Sequence, residues 1–230
     1  MYRILKKLLE VAPTSCHDDL RRMYFRSQIR GDTFDIPDPE FRLLDRLLRP
    51  GDWAIDVGAN IGHYTKKCSD LVGVEGRVIA VEPVPTTFAI LASNVAAFRF
   101  PNVTLLNVAA SQCNSTLGIS IPKSETGTEK NFYQAAVTQG MSDFRVVALQ
   151  LDSLSLEHPV RLIKIDAEGH DSNVIDGLRR TLQRDHPIIV IESTSAECTS
   201  LLHSFGYMRT DLPKSPNSIW ATTALDLGNR

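Results

Sequence analysis

Short apolar runs alternate along this chain with longer segments in which apolar residues recur every three or four positions. The short runs predict buried strands, and the longer segments predict amphipathic helices. Because strands and helices alternate, we expect an α/β fold with helices on both faces of a mainly parallel sheet. The predicted core strands are WAIDVGA (53–59), RVIAVEP (77–83), NVTLLNVAA (102–110), RLIKIDAEG (161–169) and HPIIVIES (186–193).

Helices are predicted in the segments that connect these strands. In DPEFRLLDRLL (38–48), Asp38 would cap the first turn and Pro39 would take the first helical position. The other predicted helices cover about 61–71, PTTFAILASNVAAF (85–98) and DSNVIDGLRRTL (171–182).

Two segments break the parallel pattern. LGISIP (117–122) and FRVVALQL (144–151) each alternate apolar with polar residues, and we expect them to form an antiparallel addition. GYMRTDLPKSPNSIWATT (206–223) predicts a closing hairpin. Strands joined by so short a loop run antiparallel, so the sheet should be mixed at one edge.

Length and composition fit one ordinary globular domain with a short arm. The chain has 230 residues, of which 43% are hydrophobic and 23% are charged. We expect residues 1–50 to form an N-terminal helical arm that could cover a substrate, and residues 51–230 to form the cofactor-binding domain. The net charge of -2 gives no global attraction to nucleic acid.

Neither membrane insertion nor export is predicted. No apolar run approaches the roughly 20 residues of a membrane span, and lysines interrupt the opening MYRILKKLLE, which therefore does not resemble a signal peptide. The four cysteines lack the CxxC spacing of a zinc site or redox pair. We therefore expect a cytoplasmic protein.

The segment AIDVGANIGHYT (54–65) runs from the first strand into a helix, which is where ligands bind in open α/β sheets. Gly58 and Gly62 allow a tight turn and a close approach by a ligand, and Asn60 tolerates a left-handed conformation. A dinucleotide fingerprint would need glycine where this chain has Asn60 and His63. The segment therefore disfavours NAD.

Two acids flank this loop. Asp56 precedes the first glycine, and Glu82 ends the second strand, where a carboxylate can accept both hydroxyls of a ribose. The helix N-terminus after the loop favours a small carboxylate. A ribose together with an amino-acid carboxylate indicates S-adenosylmethionine. The alternative is that both acids only cap strand ends on the surface.

The chain resembles the FkbM-type family of S-adenosylmethionine-dependent methyltransferases between residues 51 and 193. The resemblance rests on the ordered motifs IDVGANIGHYT, VIAVEPVPTTFAILASN, LNVAA, LQLDSL, LIKIDAEGHD and PIIVIES. It implies a class I methyltransferase (Rossmann-like) fold, in which the last of seven strands is antiparallel, and methyl transfer usually to oxygen. The cofactor contacts that it implies are Asp56, Gly58, Asn60, Gly62 and Glu82. We expect Ala59, Pro83 and Asp166 to contribute to the cofactor site as well. One departure is Asp171, where the family often has glutamate.

The fourth core strand carries the strongest candidates for chemistry. Lys164 and Asp166 alternate with isoleucines and so share one face of the strand. We expect Asp166, at the carboxyl tip, to help form the active site beside the sulfonium. Lys164 should be buried, where it would need an acid as its partner. Its ion pair could be purely structural.

Three further residues are catalytic candidates near that tip. Glu168 and His170 follow Asp166, and Glu192 ends the fifth strand. Carboxylates crowded into one crevice would raise the pKa of at least one of them toward the working range of a base. The same oxygens could instead hold a divalent metal, which the sequence does not favour.

Two other features have competing interpretations. Asp152 in LQLDSL fits a helix cap better than a catalytic acid. Arg22, Arg26 and Arg30 recur every four residues and would share one helical face. That face is either solvated or a clamp for an anionic acceptor.

The sequence therefore predicts an S-adenosylmethionine-dependent enzyme that methylates a hydroxyl of a small-molecule or carbohydrate-like acceptor. The rivals are an NAD-dependent oxidoreductase and a cofactor-binding scaffold without activity. A nucleic-acid methyltransferase is disfavoured because the balanced charge offers no extended basic track for a nucleic-acid backbone.

Overall fold

A computed structural model describes residues 16–122, 135–138, 140–192 and 195–225. In these ranges the helices are α1 (His17–Arg30), α2 (Pro39–Leu47), α3 (His63–Val72), α4 (Pro85–Val95), α5 (Asp171–Asp176), α6 (Arg179–Asp185) and α7 (Ala196–Ser204). The strands are β1 (Trp53–Val57), β2 (Arg77–Val81), β3 (Val103–Leu106), β4 (Ala109–Ala110), β5 (Ser115–Ser120), β6 (Ala136–Thr138), β7 (Phe144–Leu149), β8 (Val160–Ile165), β9 (Ile188–Ile191), β10 (Met208–Asp211) and β11 (Ser218–Ala221). A 3₁₀ helix covers Leu151–Leu154.

A seven-stranded sheet forms the centre of the domain, in the order β10-β11-β9-β8-β1-β2-β3. The pairs from β9 through β8, β1 and β2 to β3 are parallel. The last strand, β11, lies antiparallel to both of its neighbours, β9 and β10. The predicted class I methyltransferase fold, with an antiparallel last strand, is confirmed.

The central strands are buried on both faces, which explains why their sequences read as continuous apolar runs. On β8, Ile163 and Ile165 pack into the core on one face of the sheet. Leu162 packs into the core on the other face, together with Tyr64 of α3. A buried lysine on this strand therefore needs a charged partner.

The prediction of one strand over 102–110 was wrong, because the segment divides between two sheets. Its first part is β3, but the Asn107 side chain donates hydrogen bonds to the backbone oxygens of Glu82 (2.8 Å) and Pro83 (3.2 Å). After this turn, β4 joins a second sheet of four strands, in the order β4-β7-β5-β6. The predicted antiparallel pair is β5 with β7. Strand β6 was not predicted.

The helix predicted over 171–182 is interrupted. A Cβ at Gly177 would lie 2.1 Å from the backbone oxygen of Ser111. The chain therefore passes the loop that carries Ser111 closely at this point, and α5 ends here. Helix α6 then begins against Asp152, whose carboxylate accepts hydrogen bonds from the backbone of Arg180 (2.7 Å) and Thr181 (3.0 Å). Asp152 is therefore a helix cap, although it caps a helix distant in sequence.

Residues 16–50 pack against the domain. Phe25 and Ile29 of α1 lie in a cluster with Ile61 and Ile90. Helix α2 begins at Pro39 as predicted. None of the helices in the described ranges is long and apolar enough to cross a membrane.

The predicted cap of α2 was wrong, because within the described residues the Asp38 side chain makes no capping hydrogen bond. The carboxyl group instead interacts with the charges of Glu40 and Lys164. Burial and the charge of Glu40 raise the pKa of Asp38.

Candidate active site

A cleft lies at the carboxyl ends of β1, β2 and β8. Its polar lining comes from the loops that follow these strands, with Gly58 and Asn60 after β1, Glu82 after β2, and Asp166, Glu168 and His170 after β8. Apolar side chains, including Ile119 and Val137 of the second sheet, form another wall. That wall was missed from the sequence, because β6 has only three residues.

The loop after β1 has the left-handed backbone that its glycines predicted. The φ angles are 73° at Gly58, 51° at Asn60 and 99° at Gly62. A Cβ at Gly58 would lie 1.9 Å from the backbone oxygen of Asp166 and 3.0 Å from its carbonyl carbon. The loops after β1 and β8 therefore touch at Gly58, and only glycine fits there.

Glu82 joins two loops at the floor of the cleft. The side chain is buried, and its Oε2 accepts the backbone N–H of Asn60 at 2.9 Å while its Oε1 accepts that of Val84 at 2.8 Å. Burial raises the pKa of Glu82 to about 7, against the lowering effect of these two donors. A carboxylate has about four acceptor positions, so about two remain for hydroxyl groups.

Asp56 is buried beneath the same loop. Its Oδ2 accepts a hydrogen bond from Thr65 Oγ1 at 2.6 Å, and burial raises its pKa. Asp56 Oδ1 and Asn60 Oδ1 are buried without a hydrogen-bond partner among the described residues. Buried acceptors of this kind are costly when unpaired. They suit a ligand that donates hydrogen bonds, such as an ammonium group.

Lys164 is buried behind the cleft, where its Nζ lies 2.8 Å from Asp166 Oδ2. It is paired in register with Asp56 of β1, and its Nζ lies 5.1 Å from the centre of the Tyr64 ring. Burial alone would lower the pKa of Lys164, but the charges of Asp166 and Asp56 outweigh burial and raise it. The expected ion pair of this lysine with an acid is confirmed.

Asp166 and Glu192 follow neighbouring parallel strands, in which Ile165 is paired with Ile191. Their carboxyl groups are hydrogen-bonded to each other. Burial opposes ionisation of Asp166, but Lys164 outweighs it and lowers the pKa. Burial and then the charge of Asp166 raise the pKa of Glu192 to about 7. The expected effect of crowding on at least one carboxylate is confirmed at Glu192.

Glu168 and His170 lie on the mouth side of the cleft. Glu168 is exposed, and burial of part of its side chain, followed by the charge of Asp166, raises its pKa. His170 Nε2 lies 3.0 Å from Ser111 Oγ, and burial lowers the pKa of the ring, which favours its neutral form. Asp171, the departure from the family pattern, accepts the backbone N–H of Ala167 at 3.0 Å and so supports this loop.

Some of the predicted site residues do not line the cleft. Ala59 is buried and donates its backbone N–H to Val81 at 3.0 Å. A Cβ at Gly62 would lie 2.7 Å from the Leu91 side chain, so this glycine serves helix packing. Pro83 does line the cleft.

The arginines of α1 lie outside the cleft lining. Arg22 Nη1 lies 3.1 Å from Asp19 Oδ1, and Arg26 donates to the backbone oxygen of Ser93 at 3.4 Å. In the described ranges, no group of three or more His, Cys, Asp or Glu side chains is arranged to hold a metal ion. The prediction that the site is free of metal stays a prediction.

Known proteins resemble this chain in sequence and in fold. A model of the methyltransferase FkbM domain matches residues 56–214. The hexuronic acid methyltransferase AglP of Haloferax volcanii is 30% identical over 154 residues, which cover 65% of this chain and 59% of that protein. Protein-L-isoaspartate O-methyltransferase 1 of Arabidopsis thaliana is 39% identical over 56 residues, or 24% of each chain.

A solved structure shows the same architecture. The methyltransferase FkbM from Methylobacillus flagellatus KT superposes with a TM-score of 0.56 and 15% identity, covering 96% of this chain and 58% of that one. This chain thus spans somewhat less than two thirds of the length of the hexuronic acid methyltransferase and of the FkbM methyltransferase from Methylobacillus flagellatus KT.

Proposed function

Since this chain belongs to the FkbM methyltransferase family, we propose that it transfers the methyl group of S-adenosylmethionine to a hydroxyl oxygen of a small-molecule or carbohydrate-like acceptor. One observation carries this proposal. The glycine loop, the buried Glu82 and the carboxylate of Asp166 line a single cleft at the carboxyl ends of the central strands.

The groups around the cleft fit the cofactor. Glu82 keeps acceptor positions for the two ribose hydroxyls, in line with the predicted role of an acid at the end of β2. The unpaired Oδ1 of Asn60, which lines the cleft, suits the ammonium of the methionine part, and Asp56 lies buried beneath the same loop, outside the cleft lining. Ile119 and Val137 offer an apolar surface to a purine ring. These residues would hold the cofactor.

The chemistry requires a methyl donor, correct positioning and a proton acceptor. S-adenosylmethionine, when bound, supplies a methyl group on a sulfonium that is open to in-line displacement. The protein positions the acceptor hydroxyl, and such positioning can lower the barrier by several kcal/mol. Asp166 takes the hydroxyl proton, a role that contributes roughly 10² to 10⁴ in rate. Lys164 holds the Asp166 carboxylate in place through the 2.8 Å ion pair.

The likeness to a hexuronic acid methyltransferase supports a sugar-like acceptor. Glu168 and His170 line the cleft beside Asp166, where they can form hydrogen bonds to sugar hydroxyls. The arginines of α1 would contribute only if the acceptor also carried an anionic group, such as a phosphate. Their contacts with Asp19 and Ser93 favour the interpretation as a solvated surface.

An oxidoreductase that uses NAD fits less well. The position that a dinucleotide fingerprint reserves for its third glycine holds His63, whose ring stacks on Phe34 with 4.1 Å between the centroids. An inactive scaffold is also disfavoured. The charged cluster of Lys164, Asp166 and Glu192 extends from the buried interior to the exposed surface beside the cleft, and a protein that only bound the cofactor would not need such a cluster.

We expect S-adenosylmethionine and its demethylated product to raise the melting temperature, whereas NAD should not. A ligand present at 100 times its dissociation constant adds about 2.7 kcal/mol of stability, which is roughly 5 to 10 °C for a domain of this size. Differential scanning fluorimetry measures the shift. Stabilisation by NAD alone would overturn the cofactor assignment.

Glu82→Gln should weaken the binding of S-adenosylmethionine by about tenfold to a hundredfold. Hydrogen bonds to a charged carboxylate contribute roughly 1.5 to 3 kcal/mol, and the amide removes that charge. Because burial raises the pKa of Glu82 to about 7, wild-type affinity should increase as pH rises through 7 and Glu82 ionises. The variant should lose this pH dependence.

Isothermal titration calorimetry at pH 6 and pH 8 measures both effects. Glu75→Gln is the matched control, because Glu75 is an exposed acid before β2, at the opposite end of that strand. A melting curve establishes that each variant is folded. A folded Glu82→Gln protein with unchanged affinity at pH 8 would exclude Glu82 from the site.

A further inference from the structure

Three charged side chains form a line from the core to the surface at the ends of β8 and β9. The Lys164 side chain is only 6% exposed and that of Asp166 is 30% exposed, while Glu192 is an exposed residue. Asp166 lines the cleft. Its Oδ2 forms an ion pair with Lys164 Nζ at 2.8 Å, and its carboxyl group is hydrogen-bonded to that of Glu192. Glu192 lies outside the cleft lining, on the solvent side of Asp166.

The surroundings determine which of the two carboxyl groups carries their shared proton. Asp166 has the cation of Lys164 beside it, whereas Glu192 has none at hydrogen-bonding distance among the described residues. The other charged or titratable groups that act on this cluster are Asp38 before α2, Asp56 of β1, Tyr64 and Cys68 of α3, Glu82 after β2 and Glu168 of the loop after β8. Lys164 thus favours the anion at Asp166, and the proton remains on the solvent side.

We propose that Asp166 and Glu192 act as one proton-accepting pair, in which Asp166 takes the acceptor proton inside the cleft and Glu192 passes it to solvent. This inference rests on the proposed methyl transfer. It makes Glu192 and Lys164 positioning residues, because each acts on the hydroxyl through Asp166.

The proposed step balances. The acceptor oxygen bonds to the methyl carbon as the carbon–sulfur bond breaks, and its O–H proton moves to Asp166. The bonding electrons of the carbon–sulfur bond stay on sulfur, which becomes a neutral thioether. The proton then moves across the hydrogen bond to Glu192, which releases it to water. The pair regains its initial charge, so no further reactant is needed.

The pair can take up a proton readily only when both carboxyl groups are ionised. Below the pKa of Glu192, which is about 7, the pair already holds one proton. A second proton would have to remain on Asp166, whose pKa is lowered by Lys164. We therefore expect kcat to rise with pH through about 7 and to level off above it.

Glu192→Gln removes the exit for the proton but can keep a hydrogen bond to Asp166. At saturating concentrations of both substrates, kcat should fall about tenfold or more at pH 8, and the inflection near pH 7 should disappear. The Michaelis constant of the acceptor should stay within about twofold. Glu192→Asp, which retains a carboxylate, should restore the inflection. Saturating cofactor matters because Glu82 also titrates near pH 7.

The matched control is Glu197→Gln, an exposed acid in the first turn of the next helix, α7. It should leave both kcat and the pH profile unchanged. A second readout needs no turnover. In the cofactor-free protein, the ¹³C carboxyl signal of Glu192, assigned by its loss in Glu192→Gln, should titrate near pH 7. Asp166→Asn should move that midpoint to lower pH, because it removes the neighbouring negative charge.

Each outcome decides a different claim. An active wild type whose inflection near pH 7 survives in Glu192→Gln would overturn the pair while leaving methyl transfer intact. A Glu192 midpoint that does not move in Asp166→Asn would also overturn it. A wild-type protein that transfers no methyl group would remove the proposed function and this role with it. Loss of the inflection together with the shifted midpoint would establish the pair.

Discussion

Gly58→Ala is expected to cost about 2 to 5 kcal/mol of folding free energy and to abolish cofactor binding. The φ of 73° at Gly58 is left-handed, which costs an alanine about 1 to 2 kcal/mol. The added Cβ would also lie 1.9 Å from the Asp166 backbone oxygen. Neither the Cβ, which is fixed to the Gly58 backbone, nor the Asp166 backbone oxygen can rotate away. The loops after β1 and β8 must therefore separate. Overpacking of this kind costs typically about 1 to 3 kcal/mol.

Gly206→Ala separates the two contributions. Gly206 has a φ of 82° at the left-handed C-terminus of α7, close to the φ of Gly58, but a Cβ there would meet nothing within 4 Å. Its loss should therefore be limited to the backbone strain of about 1 to 2 kcal/mol. Urea unfolding of both variants measures the difference. Equal losses would show that the close approach at Gly58 is not what the site requires.

Asp166→Asn should lower kcat for methyl transfer by about 10² or more while the cofactor still binds. The amide keeps the shape of the side chain and an oxygen for Lys164, but it cannot take a proton from a hydroxyl. A base that acts only in the transition state affects kcat without changing ground-state binding. Single-turnover kinetics together with calorimetry separate these effects.

Asp176→Asn is the control, because Asp176 is an acid outside the cleft, paired with Arg179 at the end of α5. It should leave kcat unchanged. A melting curve shows whether Asp166→Asn is folded, since Lys164 loses its charged partner in that variant. Loss of cofactor binding in a folded protein would mean that Asp166 mainly holds the cofactor. Full activity would shift the role of base to Glu168 or His170.

The central sheet was predictable because its strands are buried on both faces and therefore read as continuous apolar runs. What the sequence did not reveal depends on contacts between distant segments. The division of 102–110 into two strands follows from the Asn107 side chain, whose partners are backbone oxygens after β2. The break between α5 and α6 depends on Asp152, which precedes the break by more than twenty residues.

The site shows the same division between local and distant causes. The left-handed conformation of Asn60 and the ion pair of Lys164 follow from local sequence and from strand alternation. Spacing alone could not show that Ala59 and Gly62 serve packing, because that depends on Leu91 of α4 and on Val81 of β2.

Methyl transfer itself tests the proposed function most directly. The purified protein would be incubated at pH 8 with S-adenosylmethionine carrying a ¹³C-labelled methyl group and a panel of sugars and uronic acids, and the products would be identified by NMR. We predict one labelled methyl per acceptor, bonded as an ether to a hydroxyl oxygen, and no product with Asp166→Asn above about one hundredth of the wild-type rate. A label found on nitrogen or carbon, or a methyl ester on a carboxyl group, would contradict transfer to a hydroxyl.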